Sequence, residues 1–87
     1  MDKDKFIAEM RDDFQIPPYF EDEVIERALD ECTGRLLSLN PAADFEADAQ
    51  GRMLLKNAVY YSIYHRYEEF EQNYANLIYS WQLGATV

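Results

Sequence analysis

The sequence predicts an all-α fold: a small bundle of three main helices plus a short fourth helix and a C-terminal tail. Three observations predict it. Apolar residues recur every three or four positions over long stretches, which is helical spacing. The strongest such stretch, Arg52 to Leu83, contains neither Pro nor Gly. No segment alternates apolar and polar residues in a way that would compete as a strand. With 87 residues, 48% of them apolar, the chain suits one domain, residues 1–87, and argues against disorder. A domain this short buries only about 60% of its unfolded surface, so its own stability is expected to be modest.

The first helix is expected from Asp4 to Phe14, with Phe6, Ile7, Met10 and Phe14 on its apolar face. Asp2 or Asp4 can cap its start, since a side-chain carboxylate accepts from the free N–H groups of a first turn. Gln15-Ile16-Pro17-Pro18 ends it, because proline removes a donor and restricts the residue before it. The second helix starts at Phe20 or Glu21 and runs to about Ser38. Glu21, Asp22 and Glu23 crowd its first turn, where the helix dipole favours negative charge. Glu23 and Arg27 form an i, i+4 pair. Val24, Ile25, Ala28, Leu29, Cys32, Leu36 and Leu39 mark its buried side. Gly34 weakens the helix by about 1 kcal/mol relative to Ala, and marks either an early end or a close helix contact.

Asn40-Pro41-Ala42-Ala43-Asp44 is the one clear loop. Asp44 or Asp48 can cap the third helix, and Phe45 is expected to pack back on the core. That helix runs from about Ala49 to Tyr67 or beyond, with a kink or break between Glu68 and Asn76, where polar residues cluster and asparagines form helix poorly. Residues 75–82 form a short final helix or an extended arm. Gly84-Ala85-Thr86-Val87 is expected to be mobile unless a partner holds it.

Within the stretch Arg52–Leu83, Leu55, Val59, Ile63, Tyr67, Phe70 and Tyr74 make one stripe, and Tyr60, Tyr64, Tyr67 and Trp81 make a second, aromatic one. Six of the seven tyrosines lie between Tyr60 and Tyr79. One helix face can be buried in a small domain's own core, so a second apolar face suggests that something else covers it. The plain reading is a Tyr-rich core whose hydroxyls reach solvent. The functional reading, which we take forward, is a subunit interface, where Tyr and Trp supply rigid area with a polar tip.

Charge is uneven. Residues 1–50 hold fourteen acids and five bases, a net of −9, whereas Glu68, Glu69 and Glu71 balance Arg52, Lys56 and Arg66 in the remainder, so the whole chain carries −9. Such a chain is not expected to bind nucleic acid by neutralising phosphates. The single cysteine, Cys32, cannot form an internal disulfide and sits on an apolar helix face beside Asp30 and Glu31, so a buried core thiol is expected rather than a reactive one. His65 is the only histidine. Paired with Glu68 or Glu69 it would supply two ligands, short of the three a catalytic zinc needs, and a di-metal bundle needs a second Glu-x-x-His helix. The acids of residues 21–31 lack the spacing of a calcium loop. No phosphate loop, dinucleotide turn or nucleophile elbow occurs. These patterns predict no enzyme, no metal and no cofactor. The apolar runs are too short to span a membrane, and Met1-Asp2-Lys3-Asp4-Lys5 lacks the apolar core of a secretory signal, so synthesis in the cytoplasm is expected.

The runs Met53-Leu54-Leu55-Lys56-Asn57, Tyr60-Tyr61 and Glu69-Phe70-Glu71-Gln72-Asn73-Tyr74, with the ending Leu77-Ile78-Tyr79-Ser80-Trp81-Gln82-Leu83, resemble the small head–tail connector (head-completion or adaptor) proteins of tailed bacteriophages. In that family an aromatic helix runs into a Phe-Glu-x-Asn-aromatic turn and then a short apolar helix ending near Gln-Leu. The acidic first half fits as well, so the likeness spans roughly the whole chain, although its motifs are packing motifs. The resemblance implies an all-α protomer that joins a twelve-fold ring beneath the portal protein of the virion. That ring extends the channel through which DNA passes without specific binding, and later receives a stopper or tail protein. It also implies that the C-terminal segment, residues 74–87, reaches toward the portal. The candidate partner-binding residues are therefore Tyr60, Tyr64, Tyr74, Leu77, Ile78, Tyr79, Trp81 and Leu83. Residues 77–80 are expected to pack on the protomer, and Trp81 and beyond to be completed by a neighbour or the portal. The basic residues that such tails often carry after Gln-Leu are missing here. The rival reading is a small acidic regulator, a DNA mimic or antitoxin-like partner, suggested by the charge of −9 on 87 residues.

Overall fold

A computed structural model describes residues 1–84. Five helices follow one another: α1 (Lys3–Phe14), α2 (Asp22–Leu39), α3 (Ala49–Ile63), α4 (Tyr67–Asn73) and α5 (Ala75–Gly84). The fold is an all-α bundle, as the periodicity predicts, with one hydrophobic core.

The Asp2 carboxylate caps α1, accepting from the Lys5 N–H at 3.1 Å. Phe6, Ile7 and Met10 are buried. The helix stops at Gln15, whose left-handed backbone (φ 51°) turns the chain before Pro17 and Pro18. Ile16 then drops into the core. Arg11 secures the α1–α2 connection: its Nη2 donates to the Phe20 carbonyl at 2.6 Å and to Asp22 Oδ1 at 2.7 Å. No side chain caps the start of α2, and the acids of its first turn face the helix dipole instead.

The core stripe of α2 is Ile25, Ala28, Leu29, Cys32 and Leu36. Val24 and Leu39, expected on that stripe, are exposed. Val24 sits one residue, about 100° of helix rotation, outside Ile25, and Leu39 falls in the last turn as the chain departs. Gly34 neither ends α2 nor touches another helix, since nothing lies within 4 Å of the position its Cβ would take. In the connection to α3, Asp44 Oδ1 accepts from the N–H groups of Glu46 and Ala47, which sends Phe45 into the core. Asp48 is the residue that caps α3.

The third helix is the axis of the bundle. Gly51, Leu54, Leu55, Ala58, Val59 and Ile63 are all buried, and they occupy two faces. Helices α1 and α2 cover one side, and α4 and α5 pack against α3 as well. On the aromatic stripe, Tyr60 is covered by Phe14 of α1 and Trp81 by Phe45, while Tyr64 meets Phe20 and stays at the surface. The chain's own segments cover part of that stripe, and α4 and α5 fold back onto α3 instead of extending away.

The long third helix also ends earlier than its periodicity suggests. Arg66 N–H donates to the Tyr61 carbonyl at 2.9 Å, and His65 N–H donates to the Ser62 carbonyl at 2.9 Å. His65 itself is left-handed, with φ 59°. These are the two hydrogen bonds and the backbone twist of a Schellman stop, which glycine usually provides. A first break thus falls at residues 64–66, ahead of the expected segment, and a second, at Tyr74 between α4 and α5, falls within residues 68–76 as expected. Glu68 and Glu69 in the first turn of α4 suit the helix dipole, and Phe70 anchors it in the core. Only Tyr74 separates α4 from α5. Residues 75–82 are helical, and Gly84 closes α5. The expected mobile end, residues 84–87, otherwise lies outside the described residues.

Candidate functional site

Aromatic rings run through the fold as a connected series. Phe14 stacks on Tyr60 with centroids 4.7 Å apart. Tyr60 meets Tyr64 edge-on at 5.4 Å, Tyr64 meets Phe20 at 5.1 Å, and Phe20 stacks on Tyr19 at 5.0 Å. In the other direction Tyr61 links Tyr60 to Phe70 and Tyr74. Such contacts contribute about 0.5–1.5 kcal/mol each beyond area burial. The helical spacing of α3 and the turn back into α4 build this series, with α1 and the Pro17-Pro18 segment supplying its outer end.

The candidate residues divide between core and surface. Tyr60 is half-buried between Phe14, Tyr61 and Tyr64. Tyr74 is half-buried as well: its hydroxyl donates to Asn57 Oδ1 at 3.0 Å, and Asn57 donates to the Met53 carbonyl. Tyr64 sits at the rim, where partial burial, with Tyr60 and Tyr19 nearby, holds its phenol above the ordinary value. Tyr60, Tyr61 and Tyr64 line an open cleft of about 250 Å³ with Arg66, Glu69 and Asn73. None of the α5 candidates lines it.

On α5 the expected division between home packing and partner packing is reversed at Trp81, Leu77 and Tyr79. Trp81 is only 4% exposed. It packs against Phe45, with ring centroids 6.1 Å apart, and its indole N–H donates to Asp48 Oδ2 at 2.7 Å. A partner is not needed to cover it, because the α2–α3 connection already does. Ile78 packs at home as expected, but Leu77 (42%) and Tyr79 (63%) are exposed. The reason is periodicity: Ile78 and Trp81 are three residues apart and share the inner face, which turns residues 77 and 79 outward. Leu83 is exposed too.

The most exposed aromatic residue, Tyr19 (75%), was not a candidate in the sequence. The available signal was Pro17-Pro18: the prolines end the helix, and the Pro17 carbonyl accepts from the Phe20 N–H at 3.1 Å, so Tyr19 sits in the middle of a turn and projects from the surface.

The groups with reactive potential are placed for other roles. Cys32 is buried, and burial pushes its thiol up to about 11, against a smaller opposing effect of a hydrogen bond with Ser62. His65 is exposed at the Schellman turn. Among the described residues no three His, Cys, Asp or Glu side chains gather where they could hold a metal ion. No helix among the described residues is long and apolar enough to cross a membrane. Compared with known family models, curated proteins and solved structures, the chain matches none.

Proposed function

We propose that this chain is a structural interaction protein of a phage or prophage virion, a head–tail connector that joins a ring beneath the portal and links capsid to tail. The warrant is the sequence resemblance. The observation that supports it is the surface of α5: Leu77 and Tyr79 stand exposed on a helix whose inner face is already satisfied by Ile78 and Trp81. Exposed apolar residues grouped on a terminal helix suit docking to a partner. The portal is the proposed partner of that face, the stopper or tail protein the partner of the finished ring, and no enzymatic step is assigned.

The rival reading, an acidic DNA mimic, needs free carboxylates along one face. Several acids of the first half are instead engaged by this chain's own bases. Lys3 pairs with Asp30 at 2.9 Å, Arg11 with Asp22 at 2.7 Å and Lys56 with Asp13 at 2.8 Å, while Arg52 pairs with Glu9. These pairs favour a role in holding α1 onto α2 and α3 over a role in imitating phosphates.

The test replaces Leu77 and Tyr79 together with Ser. The variant is expected to melt like the parent protein by circular dichroism, yet to be lost from portal-containing particles in pull-down and electron microscopy. Normal incorporation of a folded Leu77→Ser/Tyr79→Ser protein would remove α5 as the docking element. A parent protein that never joins portal-containing particles would sink the connector reading itself.

A further inference from the structure

The solvent face of α2 carries an ordered pattern that its own fold leaves unused. Glu23, Arg27, Glu31 and Arg35 follow one another at four-residue steps, alternate in sign and are all exposed. At about 100° per residue they fall on one strip, together with Val24 and Gly34. The acids on the flank of this strip are engaged by α1: Lys3 holds Glu26 and Asp30, and Arg11 holds Asp22. The four strip charges join none of the salt bridges among the described residues. Arg35 is held without a carboxylate, its guanidinium 4.3 Å from the centre of the Tyr67 ring. Among the described residues neither Arg27 nor Arg35 meets a carboxylate, in a chain with 17 acids and 8 Lys and Arg residues.

Two uncharged features lie on the same strip. Val24 is 38% exposed although its neighbour Ile25 is fully buried. Gly34 interrupts the middle of a helix with open space above it, at a stability cost that nothing in the protomer explains. A bare stretch of helix backbone is what a closely approaching second helix requires.

We propose that α2 is a self-complementary surface on which two copies of this chain pair antiparallel about a two-fold axis passing beside Leu29. In that register Glu23 of each copy faces Arg35 of the other, Arg27 faces Glu31, and Val24 packs over the bare backbone at Gly34. Each pair occurs twice, as a two-fold axis demands. The choice of a second copy rests on this charge order. The series Glu, Arg, Glu, Arg read in reverse meets its opposite sign at every position, and the same alignment sets the one exposed apolar residue of the strip against its one glycine. The strip also borders an open cleft of about 700 Å³ between α2 and the α3–α4 turn, which gives the second helix room to seat. The charges of that far wall, His65, Arg66, Glu68, Glu69 and Glu71, include both signs, and Arg66 is already paired with Glu69 at 2.6 Å. The pairing does not depend on the function proposed above; α2 and the exposed face of α5 are different surfaces.

Sedimentation of the full-length protein from micromolar to near-millimolar concentration tests it. A concentration-dependent dimer is expected. Arg27→Glu places like charges opposite one another and should weaken the dimer by about tenfold or more, since juxtaposed like charges oppose association strongly. Adding Glu31→Arg to Arg27→Glu reverses both members of the pair and should restore it. Gly34→Leu should abolish pairing while leaving the protomer folded, with a melting temperature no lower than the parent's. A protein that stays monomeric throughout, or a dimer indifferent to both Arg27→Glu and Gly34→Leu, would overturn the proposal. Failure of the charge swap to rescue a folded protein would overturn the register.

Discussion

Trp81 and Asp48 join the two ends of the helical core. The indole N–H of Trp81 donates to Asp48 Oδ2 at 2.7 Å, while Asp48 Oδ1 accepts from the Gln50 N–H at 3.1 Å. One carboxylate thus caps α3 and receives the last buried aromatic residue of α5. Gly51 lies directly beneath the pair: a Cβ there would come within 2.8 Å of Asp48 Oδ2 and 3.1 Å of Trp81 Nε1.

Asp48→Ala should therefore lose two things at once. A missing cap costs about 0.5–2 kcal/mol, and a buried indole N–H left without a partner costs about 1–3 kcal/mol. Urea denaturation is expected to show a loss of about 1.5–5 kcal/mol from these two sources. Asp48→Asn, which retains one acceptor oxygen, should lose less. A double-mutant cycle with Trp81→Phe would report the coupling, and additive losses would mean that the hydrogen bond contributes nothing.

The two helical glycines make opposite predictions. Gly34→Ala meets open space, so it should stabilise the protomer by about 1 kcal/mol through helix propensity. Gly51→Ala carries the same propensity gain but must displace the Asp48 carboxylate, which two hydrogen bonds hold, and it should destabilise. Thermal melts of both variants at low protein concentration check the contrast.

Leu55 is fully buried at the centre of α3. Leu55→Ala should cost about 2–5 kcal/mol, from lost burial and the cavity left behind. An unchanged melting temperature would contradict the helix register.

Glu9 is held below its ordinary value of 4.5, chiefly by a hydrogen bond from Arg52, with Lys56 adding charge attraction. Its folded pKa lies below its unfolded one, so its stabilising effect is complete above the unfolded value and fades as pH falls through the folded value. Glu9→Gln should flatten the loss of stability below about pH 4.5. The group is partly solvent-exposed, so the effect should be small and should shrink in high salt.

Cys32, with its thiol near 11 and no surface access, should resist alkylation in the native protein at pH 8 and react at once when urea unfolds it. Because the unfolded thiol ionises first, Cys32 should also make the fold lose stability as pH rises above about 9 toward 11.

Much of this fold was legible in local pattern. The α1 core, the α2 core apart from Val24 and Leu39, an aspartate cap on α1 (Asp2 or Asp4), the Pro17-Pro18 stop, the entry of Phe45 and the stripe Leu55–Val59–Ile63 each follow from spacing or from a single residue's conformational preference. Those signals are local, and so is the physics behind them. The end of α3 was not legible, because a Schellman stop built on His65 lacks the usual glycine, and the apolar period of the sequence continues straight across it. Nor could periodicity say what covers the aromatic stripe Tyr60, Tyr64, Tyr67 and Trp81. It reports the stripe, but that Phe14 and Phe20 meet Tyr60 and Tyr64 depends on how α1 and the segment after it come to lie against α3. The place of Trp81 was decided in the same way. Its segment read as a short helix or an extended arm, and an acceptor for its N–H, 33 residues away at Asp48, exists only once α5 has folded back onto the start of α3. Sequence determined which residues are helical and apolar; the tertiary fold decided which of those apolar faces meet each other, because burial is a contact between segments that local spacing does not encode.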